Sequence, residues 1–144
     1  MAAVLGVNRT LITAGGESQI LSGQVDARVK VMYDTYEPLG TEAAGSTIAM
    51  GGLIPTGARI WDVQCRNDAQ DASVTLAVGD SDTAARYVAA YAADSVLGNP
   101  IIKAAGFGYK IGTATGDNQI LVTTAGATLG AGDTISVAVF YSID

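Results

Sequence analysis

Short segments in which apolar and polar residues alternate, separated by turns rich in glycine, asparagine and aspartate, make up most of the sequence after residue 26. The side chains of a β-strand point alternately to its two faces, so this alternation predicts strands with one buried face. The segments recur about every 10 residues, a spacing typical of a β-sandwich or β-barrel. The sequence therefore predicts an all-β fold.

Three segments give the clearest strand patterns. SVTLAVGD directs Val74, Leu76 and Val78 to one side, and GDNQILVTTAG is a strand bracketed by turn residues. TISVAVFYSI is apolar on both faces, which predicts a central or covered strand. One face of this last segment consists of Ile135, Val137, Val139 and Tyr141, and the other of Ser136, Ala138, Phe140 and Ser142.

The segment ARVKVMY predicts a half-buried strand with a basic outer face. Its two faces differ in composition, because one of them contains only apolar side chains and tyrosine. We expect that face to be buried and the face with Arg28, Lys30 and Met32 to be exposed. The predicted inner residues are Ala27, Val29, Val31 and Tyr33.

The segment GGLIPTGARIWDVQ combines a turn and a strand. Pro55 fixes its own φ and Gly57 can adopt a positive φ, so IPTG predicts a β-turn that leads into the strand ARIWDVQCRN. With a strict period of two, Trp61 shares a face with Val63 and Cys65. We therefore predict that Trp61 anchors the core and that Cys65 is a buried packing thiol.

Residues 84–94 leave two predictions open. Alanine favours helices, and Tyr87 and Tyr91 have the i, i+4 spacing of one helix face. Val88 and the surrounding strand patterns favour a bent strand instead. A short helix and a strand both fit this stretch.

The composition excludes several classes of function. The net charge is −6, which argues against nucleic-acid binding, and the absence of histidine removes the usual general base and the commonest metal ligand. A single cysteine cannot form an intrachain disulfide. No segment has the 18 or so apolar residues of a membrane span, and the N-terminus has no basic region of a signal peptide. We expect no cofactor, no metal, no membrane contact and no enzymatic activity.

The first 26 residues differ from the remainder. Their two apolar runs, Val4–Val7 and Leu11–Ile12, show no sustained period of 2 or 3.6. We expect an extended N-terminal arm over residues 1–26, which packs along its own domain or reaches a neighbour, and a β-sandwich domain over residues 27–144.

Three motifs together resemble the capsid cement, or head decoration, proteins of tailed bacteriophages. The first is the IP-x-GA-x-I turn and strand at Ile54–Ile60. The second is a strand ending in GD, Val74–Asp80, followed by the pair Arg86 and Tyr87. The third is the final strand pattern at Thr134–Tyr141. The resemblance extends over roughly residues 27–144, while the arm is its least family-like part.

The resemblance implies a β-sandwich of jelly-roll type that forms a dimer or trimer and stabilises the head. It also implies the major capsid protein as partner, a position on the capsid exterior after assembly in the host cytoplasm, and no enzymatic activity. An N-terminal arm often contributes to such contacts. We expect the contacts to the capsid or to other subunits to include Arg9, Leu11, Ile12, Arg28, Lys30 and Arg59.

Two other functions are weaker alternatives. A carbohydrate-binding module would need an aromatic platform, for which the candidates are Trp61, Tyr33, Tyr36, Tyr87 and Tyr91. An enzyme would need matched carboxylates, for which the candidates are Asp62, Asp80 and Asp82. The stretch GDSDT has two aspartates with the spacing of a calcium loop but lacks its later ligands, so we predict a solvated turn there.

Overall fold

A computed structural model describes residues 28–95, 97–98, 102–112 and 118–143. Eight strands form two four-stranded antiparallel sheets, with the orders β1-β8-β3-β6 and β2-β7-β4-β5. No helix in this part of the chain is long and apolar enough to span a membrane. The strands are β1 Lys30–Tyr36, β2 Thr47–Met50, β3 Ala58–Asn67, β4 Thr75–Gly79, β5 Val88–Ala92, β6 Leu97–Gly98, β7 Ile120–Ala125 and β8 Ile135–Ile143.

The strand order is that of a jelly roll. Each sheet interleaves strands from the first and second halves of the chain, so β8 lies between β1 and β3 while β7 lies between β2 and β4. The predicted all-β, jelly-roll sandwich is confirmed, as is the central place of the last strand. The arm expected over residues 1–26 lies outside the described residues, and the domain boundary after it stays a prediction.

The core fills the space between the two sheets. Every second residue of β4, β7 and β8 points into it, as the alternation predicts. Each large apolar side chain that is fully buried contributes about 1.5–3 kcal/mol. The core includes Ile48, Met50, Ile60, Val63, Cys65, Val74, Leu76, Val78, Ile120, Val122, Ile135, Val137 and Val139.

A β-bulge in β3 overturns the core position expected for Trp61. Ile60 pairs with Tyr141 and Asp62 pairs with Phe140, so β3 has one extra residue, Trp61, between two successive partners. The extra residue shifts the alternation by one. Ile60 therefore lies in the core with no exposed surface, while Trp61 is only half-buried and belongs to the outer side of the sheet. Cys65 is buried, as predicted.

β1 also presents the opposite face to the one expected. Met32 and Tyr36 pack against the core, whereas Val31 is 56% exposed and Tyr33 is 65% exposed. Both faces of β1 contain apolar side chains. The face that turns towards the core is the one with the longer side chains of Met32 and Tyr36. The predicted basic outer face is therefore wrong, and the outer face of β1 is apolar.

Residues 88–92 form a strand and not a helix. β5 pairs with β4 at the edge of the second sheet, with Thr75 opposite Ala92 and Val78 opposite Val88. Tyr87 precedes it and is fully buried. Tertiary pairing thus overrides the helix preference of the alanines.

The two ends of the sandwich carry opposite charges. The connections β1–β2, β3–β4, β5–β6 and β7–β8 meet at what we call the acidic end, where residues 37–46, 68–74, 93–95 and 126–134 contain carboxylates and no lysine or arginine. The start of β1, the connections β2–β3 and β4–β5, and residues 102–112 of the connection between β6 and β7 lie at the basic end. Its cations are Arg28, Lys30, Arg59, Arg86, Lys103 and Lys110.

Hydrogen bonds tie the loops of the acidic end together. The Leu129 amide donates to the Glu42 carbonyl at 3.1 Å, and the Gly130 amide donates to Gln70 Oε1 at 3.1 Å. The Glu42 carboxylate accepts from the Tyr36 hydroxyl at 2.5 Å and from three backbone amides, those of Leu39, Gly40 and Thr41. These bonds fix the shape of the β1–β2 loop.

The Glu42 carboxylate makes this loop sensitive to acid. The Tyr36 hydrogen bond, supported by the backbone amides, lowers the pKa of Glu42 from 4.5 to about 2. A lowered pKa means that the ionised group stabilises the loop fully above about pH 4.5, and that this contribution is lost as the pH falls towards 2. We expect the protection factors of the loop amides in hydrogen exchange to fall over that range.

The Glu42→Gln variant provides the control for this loop prediction. Glutamine can accept through only one of its two end atoms, so the amides of Leu39, Gly40 and Thr41 should exchange faster at neutral pH. Their residual protection should not change between pH 4.5 and 2. Equal protection in the variant and the parent protein would contradict the role of the carboxylate.

Candidate interaction surface

The outer face of the first sheet exposes an apolar row along its β1 edge. Val29, Val31 and Tyr33 are 57%, 56% and 65% exposed. In the β1–β8 pairing, Val31 lies opposite Phe140 and Tyr33 lies opposite Ala138. We call Val29, Val31 and Tyr33 the β1 face. Contiguous exposed apolar groups of this kind mark a contact surface in soluble proteins.

A second group of exposed residues lies next to the bulge in β3. The Trp61 indole N–H donates to Ser142 Oγ at 2.8 Å, and the ring meets Phe107 edge-on with centroids 5.8 Å apart. The hydrogen bond fixes the half-buried indole on the outer side of the sheet. Phe107 is 60% exposed, so this aromatic pair presents apolar surface to solvent.

Residues 102–112 hold Phe107 in place by pairing with the start of β3. The Ile60 amide donates to the Tyr109 carbonyl at 2.9 Å, and the Gly108 amide donates to the Ile60 carbonyl at 2.7 Å. Residues 108–111 thus extend the ladder of the first sheet beside the start of β3, with an isolated bridge between Arg59 and Lys110. That bridge places two cationic residues directly opposite each other.

The GDSDT turn is less solvated than its composition predicts. Asp80 is buried, and its carboxylate accepts from the Thr83 amide at 2.9 Å and pairs with the Arg86 guanidinium. The Arg86 guanidinium also lies 4.1 Å from the centre of the Tyr109 ring. The Asp80 hydrogen bond raises the pKa of Arg86. The predicted solvated turn is therefore wrong for Asp80, which anchors the β4–β5 connection.

The predicted contact residues fall into two groups. Arg28 and Lys30 are exposed at the start of β1, while Arg59 is half-buried and donates to the Gly108 carbonyl at 3.3 Å. All three lie at the basic end. Arg9, Leu11 and Ile12 lie outside the described residues. A contact role for these six residues stays a prediction.

The aromatic platform expected of a carbohydrate-binding module is not assembled. Tyr87 is buried in the core, and the Tyr91 hydroxyl points inward to donate to Asn67 Oδ1 at 3.0 Å. Tyr36 packs against the core and bonds Glu42. Among the five candidates, only Trp61 and Tyr33 are on the outer side of the first sheet.

The candidate catalytic groups are likewise separated. Asp62 lies on the outer side of β3 and accepts from Gln64, while Asp82 is exposed in the β4–β5 turn. Burial raises the pKa of the Cys65 thiol, which keeps it protonated and unreactive. The described part of the chain has no group of three or more histidine, cysteine, aspartate or glutamate residues that could hold a metal ion.

Local sequence patterns do not mark Phe107, Lys103 or Lys110 as surface contact residues. Each comes from a glycine-rich stretch with a weak strand signal. The sequence feature that indicates an exposed Phe107 is its place between Gly106 and Gly108. A single apolar residue in a glycine turn has no apolar neighbours in sequence with which it could form a buried face. Their proximity to Trp61 follows only from the fold.

Solved structures of phage capsids contain chains with a similar fold. No protein-family model and no curated protein matches the sequence. A chain of the cyanophage Pam1 capsid asymmetric unit has the same fold, with a TM-score of 0.66, 24% identity, and coverage of 82% of this chain and 86% of that chain. The capsid of Ralstonia phage GP4 contains another, with a TM-score of 0.65, 20% identity, and coverage of 83% and 88%. This fold occurs in phage capsids. At these identities the similarity establishes the fold.

Proposed function

We propose that this chain is a non-enzymatic structural protein of a phage virion. In this role it binds the outer surface of the capsid lattice, contacts the major capsid protein and stabilises the head. The observation that carries the proposal is the fold, which matches chains of two phage capsid structures over more than four fifths of this chain. The exposed apolar β1 face and the aromatic pair at Phe107 support it, because a lattice protein functions through contact surfaces.

Capsid shells that lack this protein provide the direct test. We expect the purified chain to bind such shells saturably and to raise the temperature at which they open, because a ligand that binds only the closed shell stabilises it by mass action. Shells incubated with buffer are the control. Absence of saturable binding, or binding with no change in the opening temperature, would contradict the proposed function.

Self-association is the second part of the proposal, and the outer edge of β1 is its site. Within the described residues β1 pairs only with β8, so its other edge lacks a strand partner there. An exposed edge strand is a template for pairing with another chain. We propose that two copies pair through β1 and join their first sheets.

The sequence of β1 suits pairing with itself. An antiparallel arrangement centred on Met32 would place Lys30 of one copy opposite Asp34 of the other, and Val31 opposite Tyr33. Each pairing occurs twice by symmetry. Opposite charges and aromatic–β-branched pairs facing each other across strands each contribute about 0.2–1 kcal/mol.

Light scattering on the Val31→Asp variant tests the β1 contact. Aspartate at this position replaces the β-branched side chain beside Tyr33 of the other copy with a charge that disfavours the cross-strand pair, so we expect the variant to be monomeric where the parent protein is dimeric. Ala90→Asp is the matched control, because Ala90 is exposed on β5, the edge strand of the other sheet. A monomeric parent protein, or a Val31→Asp variant that still forms dimers, would rule out this contact.

A further inference from the structure

Charged residues of opposite sign are segregated along the described part of the sandwich. Six of the eight lysines and arginines lie at the basic end, against Asp80 and Asp82 among the described residues there. The acidic end has only carboxylates, namely Glu37, Glu42, Asp68, Asp71, Asp94 and Asp133. Among the described residues this end therefore has more cations than carboxylates, in a chain whose net charge is −6.

The bridge between Arg59 and Lys110 concentrates this positive charge beside exposed aromatic surface. The Arg59 guanidinium donates to the Gly108 carbonyl at 3.3 Å, next to Phe107, and Lys110 is exposed. Lys103 is exposed on the other side of the same turn. The Phe107 amide donates a hydrogen bond to the Lys103 carbonyl oxygen at 3.0 Å, which holds the backbone of this turn.

We propose that Arg59, Trp61, Lys103, Phe107 and Lys110, called the turn patch, are the docking site for an acidic surface on a protein of the capsid shell. This inference rests on the proposed function and specifies which end of the sandwich faces the lattice. An acidic partner pairs with the exposed Lys103 and Lys110, and an apolar group on that partner covers Phe107. The acidic end then faces away from the shell.

The surroundings of the turn patch favour a protein partner over nucleic acid. Aromatic residues and arginine are enriched at protein–protein contacts, where they form the buried centre. Nucleic-acid binding requires several cations that neutralise successive phosphates along a backbone. Here the cations surround an apolar centre, and the carboxylates of the remaining surface repel phosphates.

Charge reversal within the turn patch, with a control of equal charge, tests the inference. Lys103→Glu and Lys110→Glu are each compared with Arg66→Glu, which makes the same change in net charge at an exposed position near the other end of β3. Binding to shells lacking this protein is measured by sedimentation at roughly 50 and 300 mM salt, where screening differs strongly.

We expect each turn-patch variant to bind on the order of tenfold more weakly at low salt, and Arg66→Glu to bind within about twofold of the parent protein. The parent protein's affinity should fall at high salt, while that of the two variants changes less. Equal weakening by all three substitutions, or no effect of the turn-patch substitutions, would overturn the inference and leave the proposed function intact.

Two further outcomes distinguish the alternatives. If the parent protein binds duplex DNA as tightly as it binds shells, and the same two substitutions abolish both, the partner chemistry is phosphate and the inference is wrong. If the parent protein does not bind shells at all, the proposed function fails and this inference fails with it.

Discussion

Alanine at position 126 is expected to destabilise the protein by more than about 4 kcal/mol, a loss that few single substitutions cause. Gly126 follows β7 with φ of +88°, and a β-carbon there would lie 1.8 Å from the Ser73 carbonyl oxygen. That oxygen belongs to the backbone just before β4, the neighbouring strand, so neither side can yield without breaking the β4–β7 pairing. Denaturant unfolding of the Gly126→Ala variant measures the loss.

The Gly45→Ala variant is the control that separates the cost of the left-handed backbone conformation from the cost of the steric clash. Gly45 has the same φ of +88°, but a β-carbon there would have no atom within 4 Å. Gly45→Ala should therefore cost only the penalty of the left-handed conformation, about 1–2 kcal/mol. If the two variants lose equal stability, the close approach to Ser73 is not the cause.

Removal of the Asp80 carboxylate is the second large effect, with an expected loss of about 3–5 kcal/mol. Asp80→Ala leaves the Arg86 guanidinium without its buried partner and leaves the amides of Asp82 and Thr83 without an acceptor. A group whose partner is removed keeps its desolvation cost and loses the compensating attraction. Denaturant unfolding followed by Trp61 fluorescence measures the change.

A double-mutant cycle isolates the Asp80–Arg86 interaction. Arg86→Ala alone also removes the stacking on Tyr109, so the single substitutions are not equivalent. We expect the double variant to lose clearly less stability than the sum of the two single variants, because the charge left by each is removed by the other. Additive losses would show that the ion pair contributes little and that the backbone hydrogen bonds to Asp80 dominate.

The sequence predicted the fold class because the decisive signals are local. Turn residues and two-residue alternation fix where β4, β7 and β8 begin and which side chains point inward. The orientation of β1 was not predictable in the same way. Alternation shows that Val31 and Met32 point in opposite directions, but both are apolar, so the choice depends on the space left by the other sheet.

The bulge in β3 escaped prediction for a different reason. One extra residue reverses the alternation of a strand, and Ile60 and Trp61 fit an inward position equally well by hydrophobicity. The burial of Asp80 was also not predictable from the turn sequence, because its partner Arg86 lies six residues further along the chain. The turn patch could not be predicted from local sequence patterns. Its residues come from β3 and from the stretch 103–110, which are brought together only by long-range pairing.

The central place of β8 has a consequence for how the protein is made. β1 and β3 are synthesised long before β8, yet they are not neighbours of one another. Within the described residues β1 pairs with β8 alone, and the other partners of β3 are the two-residue β6 and a bridge at Lys110. The first sheet thus cannot be completed while β8 is still being translated. Contacts so distant in sequence also make folding slow. Newly synthesised chains should therefore pass through an interval in which their apolar strands are unpaired, and low growth temperature or chaperone supply should increase the soluble yield.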